Sequence, residues 1–332
     1  MTCSVAVMQQ IVLEARPGGL GTAIKFSHGL FYSRAQSVLC KSGCAVDQRV
    51  IDLYNNYIHG SMPRRDFLNR LAGIAGSVAA ASLILPLIEP NDAYAQQIDP
   101  KDRTLKTEYV EYAGTKGPVR AYVAKPAKAK KPLPCILIIH ENRGLNAHIE
   151  DVARRAALAG YIAVAPDGLS IAGGAPADQE KARDLFAATD RATIDGDIIA
   201  GIPYLASRSD SNGKIGTVGF CYGGGMAMRC AADHAEVNAT VCFYGSALNA
   251  EQIAKVKAPL MIHYAGNDER INAGINEFRS ALDTQKIAYS LNMYPGTQHG
   301  FHNDSSTARY DVAAAKLAWA RTLEFFDGVL KS

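Results

Sequence analysis

Three residues whose chemical types support nucleophilic catalysis follow one another along the second half of the chain: Cys221, Asp268 and His299. A cysteine attacks a carbonyl carbon as the thiolate, and a free thiol with a pKa of about 8.5 is mostly neutral at pH 7. A histidine can take the thiol proton and later return a proton to a leaving group, while an acid fixes the tautomer of the histidine. These residue types together predict acyl transfer through a cysteine nucleophile.

The cysteine stands within Lys214–Gly225, at the centre of Gly-Phe-Cys-Tyr-Gly-Gly-Gly. The apolar run 215–220 predicts a strand that leads into the cysteine, and residues 224–233 predict a helix. Glycines on either side leave room for a sharp strand-to-helix turn that exposes the apex side chain at the carboxyl end of a sheet. The alternative is a glycine-rich turn that holds a buried structural cysteine.

The order of the other two residues favours the nucleophile. In a strand–nucleophile–helix architecture the acid and then the histidine follow the nucleophile, each in a loop after a strand. Asp268 follows the predicted strand 260–264, and His299 follows the predicted strand 289–294. Glu269 is a competing acid that ranks below Asp268.

An oxyanion hole is predicted from two backbone amides. The loop His140-Glu-Asn-Arg-Gly144 follows a predicted buried strand, and in this architecture such a loop gives one amide while the residue after the nucleophile gives the other. We therefore expect the N–H groups of Asn142 and Tyr222 to hold the oxyanion.

The composition is that of a globular protein of one large or two modest domains, with 332 residues, 48% hydrophobic residues and a net charge of +3. The charge is too small and too scattered to indicate nucleic acid. Seven cysteines include no C-x-x-C pair, and Cys40 and Cys44 have no histidine pair nearby, so no zinc site is predicted. Cys135, Cys230 and Cys242 lie in apolar runs and are interpreted as buried.

From residue 106 onward, apolar strand patterns alternate with helical patterns. Buried runs separated by helices predict an α/β protein with a mostly parallel central sheet covered on both faces. The predicted strands are 107–112, 119–124, 135–139, 161–166, 215–220, 239–244, 260–264 and 289–294. The predicted helices are 149–158, two within 177–205, 224–233, 271–285 and one from about 307 to 330.

The N-terminal third carries an export-signal layout. Residues 1–45 show no period and are unassigned, and 46–95 contain Arg64-Arg65, an uncharged apolar run 71–88 and Ala93-Tyr94-Ala95. A basic region, an apolar run and an A-x-A site predict an export signal of the twin-arginine type, hence a periplasmic protein whose mature chain would be 96–332; whether the signal is removed is left open. Core helices and a membrane anchor are the alternatives. Because the signal lies far into the chain, we expect translation to begin near Val46 or Met62.

The region from about residue 47 to the end resembles the dienelactone hydrolase family of α/β-hydrolases. The motifs are His-Glu-Asn-Arg-Gly, Gly-Phe-Cys-Tyr-Gly-Gly-Gly, Tyr-Ala-Gly-Asn-Asp-Glu-Arg and Gln-His-Gly-Phe. The resemblance implies a Cys221–Asp268–His299 triad and a glutamate, matched by Glu141, that contacts the resting thiol. It also implies a carboxymethylenebutenolidase-like ester hydrolase that needs neither a metal nor an organic cofactor.

The departures from the family concern the substrate. The family arginine four residues after the histidine is Asn303 here, and a family tyrosine and a companion arginine are Arg183 and Gln179. Candidate substrate contacts are Arg143, Arg183 and Asn303. The predicted function is hydrolysis of a small ester or lactone by a monomer without stable membrane association. A thiol redox or peroxide-handling enzyme and a non-catalytic binding protein are the alternatives.

Overall fold

Eight strands form one sheet in the order β1-β2-β4-β3-β5-β6-β7-β8 in this computed structural model, which describes residues 46–332. The prediction for residues 1–45 lies outside the described residues. Strands β1, β2 and β4 pair antiparallel and all other neighbours pair parallel, which confirms the predicted mostly parallel sheet. The strands are β1 Leu105–Ala113, β2 Pro118–Pro126, β3 Leu133–Ile139, β4 Ile162–Pro166, β5 Ser211–Phe220, β6 Val237–Phe243, β7 Leu260–Ala265 and β8 Tyr289–Tyr294.

Helices cover both faces of the sheet, because the parallel strands are apolar on both sides. One apolar layer packs α4 Ala147–Leu158 and α12 Val312–Leu330 against the strands. The opposite layer packs helices from the middle of the chain, with α8 Tyr222–Asp233 among them. The other helices after β4 are α5 Gln179–Ala188, α6 Arg191–Ile199, α7 Gly201–Ala206, α9 Ala250–Ile253, α10 Glu269–Asn272 and α11 Ile275–Thr284.

Three helix predictions were wrong in number or extent. The two helices predicted within 177–205 are three, and the third contains Pro203, whose missing N–H cannot continue the hydrogen bonding of the helix before it. The helix predicted at 271–285 is divided into α10 and α11. The last helix begins at Val312 instead of about 307, because the Asp311 side chain accepts from the N–H of Ala314 and caps it there.

Three further helices precede the sheet: α1 Gln48–His59, α2 Arg64–Ala75 and α3 Val78–Ile88, called here the N-terminal helices. Their buried apolar side chains, which include Tyr54, Tyr57 and Phe67, form a separate small core. Helices α2 and α3 meet at an angle of 110°, and within the described part of the chain no single helix has the length and apolar composition of a membrane span. Only the two bent helices together have the length and apolar composition of a membrane span, among the helices that the structure describes.

Candidate active site

The sharp turn after β5 places Cys221 at the N-terminus of α8 with a backbone φ of 55°. Residues other than glycine rarely adopt positive φ, so the turn is strained at this position. A Cβ at Gly219 would lie 1.8 Å from the carbonyl oxygen of Gly223, and a Cβ at Gly223 would lie 2.3 Å from that of Ile139. The glycines are therefore required by close backbone contacts, as the sequence predicted.

The structure brings Asp268 and His299 together beside this turn. His299 Nδ1 lies 2.5 Å from a carboxylate oxygen of Asp268, and both side chains are buried. Burial acts to lower the pKa of His299, but the nearby Cys221 sulfur and the bond to Asp268 outweigh it and raise the pKa to about 9. Burial likewise acts to raise the pKa of Asp268, and the hydrogen bond with His299 outweighs it, so this pKa is lowered. The pair can therefore hold His299 as an imidazolium at neutral pH.

A second imidazole, which no sequence motif indicates, approaches the same sulfur from the N-terminal helices. His59 Nδ1 lies 3.9 Å from Cys221 Sγ, and the ring centroids of His59 and His299 are 4.5 Å apart. One ligand-capable atom from each of the three side chains lies within 4.8 Å of the others. His59 stands next to the export-signal layout and belongs to no catalytic motif, so its place at the thiol follows only from tertiary packing.

The environment of His59 is strongly positive. Burial is the largest influence on its pKa, and the charges of His299, Arg270, Arg309 and Arg143 add to it, so the pKa is held well below the ordinary value. His59 is therefore a neutral imidazole at pH 7. The same cationic groups oppose a divalent cation at this cluster, although nitrogen and sulfur are donor types that transition metals accept.

Glu141 lies near the site with other partners than the thiol. Its carboxylate accepts from Asn303 Nδ2 at 2.7 Å and from the Tyr244 hydroxyl at 3.4 Å. Among the described residues no hydrogen bond joins Glu141 to Cys221, so its contact with the resting thiol stays a prediction. Asn303 is buried and its amide donates to this carboxylate. This hydrogen bond gives the amide a role at the position where the family has an arginine.

Asn142 and Tyr222, whose backbone amides are predicted to hold the oxyanion, both line the cavity beside Cys221. Within residues 46–332, neither the N–H of Asn142 nor that of Tyr222 donates a hydrogen bond to another residue. The preceding loop is held by His140, which contacts the Glu141 carbonyl oxygen at 2.6 Å through Nδ1 and accepts from the Gly168 N–H at 3.0 Å through Nε2. These two contacts fix one tautomer of His140 and the position of the loop.

A cavity of about 620 Å³ opens onto Cys221, and the N-terminal helices form part of its wall. Of the predicted substrate contacts, Arg183 lines the cavity, but its guanidinium lies 2.7 Å from Asp184 and over the Tyr57 ring. Arg143 is buried and donates to Asn142 Oδ1 and the Tyr54 hydroxyl.

Two other arginines, which the sequence analysis did not name as substrate contacts, are exposed at the cavity: Arg191 and Arg270. The Arg191 guanidinium lies over the rings of Phe186 and Tyr222. In the part of the chain that the structure describes, neither arginine has a carboxylate within ion-pair distance. Their charges are therefore available to a ligand in the cavity.

The sheet, its covering helices and the sharp strand-to-helix turn at Cys221 define an α/β-hydrolase fold. Residues 119–330 match the family model described as Dienelactone hydrolase family, and the chain belongs to that family. Residues 43–76 match a second model, described as YqhI-like. A carboxymethylenebutenolidase of Pseudomonas putida is 32% identical over 214 residues, which cover 62% of this chain and 89% of that protein.

Solved structures agree with the fold. A dienelactone hydrolase from Anabaena variabilis superposes with a TM-score of 0.55 at 21% identity, over 69% of this chain and 100% of that one. At this identity the likeness shows the fold. Membership of the family, together with the carboxymethylenebutenolidase-like relatives, makes the chain a hydrolase of the dienelactone hydrolase type.

Proposed function

We propose that the chain hydrolyses small esters or lactones through a cysteinyl acyl-enzyme formed on Cys221. One observation carries the proposal. His299 binds the Asp268 carboxylate through Nδ1, while its Nε2 is buried without a hydrogen-bond partner next to the cysteine at the turn. A histidine oriented by an acid and facing a nucleophile is the arrangement that acyl transfer needs.

The steps follow from these positions. The Cys221 thiolate attacks the carbonyl carbon, and the resulting oxyanion is held by the amides of Asn142 and Tyr222. The C–O bond then breaks, and the leaving oxygen takes the proton from His299 Nε2. Water attacks the thioester and gives a proton to His299, the C–S bond breaks, and the thiolate–imidazolium pair is restored.

The cavity supports a small substrate that carries negative charge. Its volume of about 620 Å³ lies in the range of small-molecule sites. Arg270 stands two residues after Asp268, lines the cavity, and has no ion-pair partner among the described residues. We therefore assign Arg270 to the binding of an anionic group on the substrate, in a protein where Asn303 has replaced the family arginine.

Replacing Arg270 tests this assignment. R270Q is expected to raise KM for mono-p-nitrophenyl succinate about tenfold, the size of one lost charged hydrogen bond, and to leave KM for p-nitrophenyl acetate nearly unchanged. R279Q, at an exposed arginine on α11 away from the cavity, is the matched control. Equal effects of R270Q on the charged and the neutral ester would contradict a role in charge recognition.

A thiol redox function lacks a suitable second thiol in the described chain. Cys135, Cys230 and Cys242 are all buried. Burial raises the pKa of Cys230 and that of Cys242 to about 12, so neither forms the thiolate that would resolve an oxidised Cys221. The hydrolase is therefore the better-supported function.

Mass spectrometry of the protein quenched during turnover of p-nitrophenyl acetate tests the proposal. The expected result is an acetyl group on the Cys221 peptide, absent from C221A. Both C221A and H299A should lose at least a thousandfold in kcat/KM, since they remove the nucleophile and its base. If turnover persists in C221A, or if a panel of esters and lactones gives none in the wild type, the acyl-enzyme proposal fails.

A further inference from the structure

The nucleophile of this hydrolase is contacted by a residue from outside the hydrolase domain. The dienelactone hydrolase model begins at residue 119, whereas His59 ends α1 and lies with Nδ1 3.9 Å from Cys221 Sγ. The N-terminal helices therefore contribute a functional group to the reaction centre as well as a wall to its cavity.

The position of His59 is fixed by contacts with the oxyanion loop. Asn142 Nδ2 donates to the carbonyl oxygen of Ile58 at 3.0 Å, and the Arg143 guanidinium donates to the Tyr54 hydroxyl one turn earlier on α1. Both bonds join the end of α1 to the loop that carries an oxyanion amide. Consequently the end of α1 that carries the imidazole is held by side chains of the same loop whose Asn142 amide is proposed to bind the oxyanion.

We propose that His59 is a catalytic residue whose Nδ1–H donates to the Cys221 sulfur, so that the resting nucleophile is a thiolate held between two imidazoles. The proposal rests on the acyl-transfer function proposed above and assigns it a residue that the hydrolase domain does not contain. In this proposal a neutral donor, His59, occupies the place next to the thiol. The family resemblance assigns that place to a glutamate.

The hydrogen-bonding pattern supports the Nδ1–H tautomer. His59 Nε2 is shielded from solvent and has no partner, so in this tautomer the unpaired atom is an acceptor and the donor faces the sulfur. An unmet buried donor is the worse alternative, since buried N–H groups are rarely left unpaired. Glu141 instead accepts hydrogen bonds from Asn303 and Tyr244, and among the described residues no hydrogen bond joins it to the sulfur.

Most charged groups around the sulfur also favour a thiolate. The loops after β7 and β8 present cations along with the Asp268–His299 pair, and the loop after β3 presents one carboxylate and one guanidinium. The titratable and charged groups that face the centre are His59, Glu141, Arg143, Tyr244, Asp268, Arg270, His299 and Arg309. The three arginines of this set outnumber Glu141, the one carboxylate in it that is not paired with His299.

The proton balance assigns separate roles to the two histidines. The Cys221 proton resides on His299 Nε2, and this proton passes to the leaving oxygen during acylation. His59 keeps its Nδ1 proton throughout. It stabilises the sulfur as the resting thiolate and again when the C–S bond breaks and the thiolate leaves.

The test is the pH dependence of iodoacetamide alkylation at Cys221 in the full chain, followed on the Cys221 peptide by mass spectrometry. H59A is expected to raise the apparent thiol pKa by about one unit, equivalent to a tenfold loss of thiolate stability. Its kcat for p-nitrophenyl acetate should fall about tenfold, with KM changed less than about threefold, because the donor acts on the reacting sulfur. H234Q, at a partly buried histidine that follows α8, is the control for a general histidine effect.

Two polar variants separate chemistry from packing. In H59N the amide nitrogen can occupy the place of Nδ1, so the alkylation profile of the wild type should be retained, whereas H59Q carries its amide near the place of Nε2 and should behave like H59A. An unchanged alkylation profile in H59A, or equal profiles for H59N and H59Q, overturns the proposal. Because alkylation needs no substrate, a wild type whose alkylation profile differs from that of H59A as expected, but which turns over no ester, would refute the acyl-transfer function and leave the thiolate assignment standing.

Discussion

At the scale of residues, the placement of Cys221, Asp268 and His299 at one site could be predicted because each stands in a local motif at the end of a strand, while their catalytic roles stay a proposal. Local sequence constrains such positions strongly. Gly219 and Gly223, on either side of Cys221, leave no room for a side chain. His59 could not be predicted in this way, since its contact with the sulfur joins residues 162 positions apart. The change of Asn303 was visible in the sequence, but its bond to Glu141 was not.

The raised pKa of His299 predicts an alkaline limit for acylation. Burial lowers this pKa, but the Cys221 charge and the Asp268 bond raise it to about 9, above the ordinary value of 6.5. The imidazolium that protonates the leaving oxygen should therefore persist through pH 8 and be lost above pH 9. Because the folded-state pKa of His299 is higher than its unfolded value, His299 stabilises the fold fully below about pH 6.5. This stabilisation declines as the pH rises to about 9.

The measurement is kcat/KM for phenyl acetate against pH, corrected for spontaneous hydrolysis. Phenyl acetate is chosen because its leaving oxygen needs a proton more than p-nitrophenolate does. The expected profile falls with an apparent pKa near 9, and in D268N this fall should move to lower pH because the bond that raises the pKa is weakened. A fall centred near pH 6.5 in the wild type would contradict the imidazolium assignment.

At the scale of elements, strands were predicted better than helices. All eight predicted strands are present with shifts at their ends. The central strands β3, β4 and β6 were the clearest, because a buried parallel strand is a continuous apolar run bounded by polar loops. Helix boundaries depend on single capping or breaking residues, and the errors occurred at Pro203 and Asp311. The apolar run 71–88 was interpreted as one export segment, whereas in this fold it is divided between α2 and α3 at Gly76, whose φ is 86°.

At the scale of the whole molecule, the N-terminal helices and the hydrolase domain meet mainly through polar contacts. Tyr57 donates to the Glu180 carboxylate at 2.5 Å, Arg64 pairs with the same carboxylate, and the Arg309 guanidinium lies over the Tyr54 ring. The apolar side chains of these helices pack largely against one another. Separation of the two parts would therefore expose little of the sheet's own core.

Cleavage of the predicted export signal would decide whether the active enzyme keeps the N-terminal helices. A signal cleaved after Ala95 would remove His59 and one wall of the cavity, whereas an uncleaved chain would keep both. Periplasmic localisation by the twin-arginine route stays a prediction, and N-terminal sequencing of the protein recovered from the periplasm would show which form acts there.

Comparison of the full chain with residues 96–332 shows what the N-terminal helices contribute. We expect the shorter chain to fold, with a modestly lower Tm, because its two main apolar layers are intact. Its kcat/KM for p-nitrophenyl acetate should fall at least tenfold, since it lacks the His59 donor and the cavity is open to water. The loss should exceed that of H59A, because the wall is removed with the donor. Equal activity of the two chains would mean that the N-terminal helices act as a removable leader, while a smaller loss than in H59A would show that the cavity wall hinders substrate entry more than it assists the reaction.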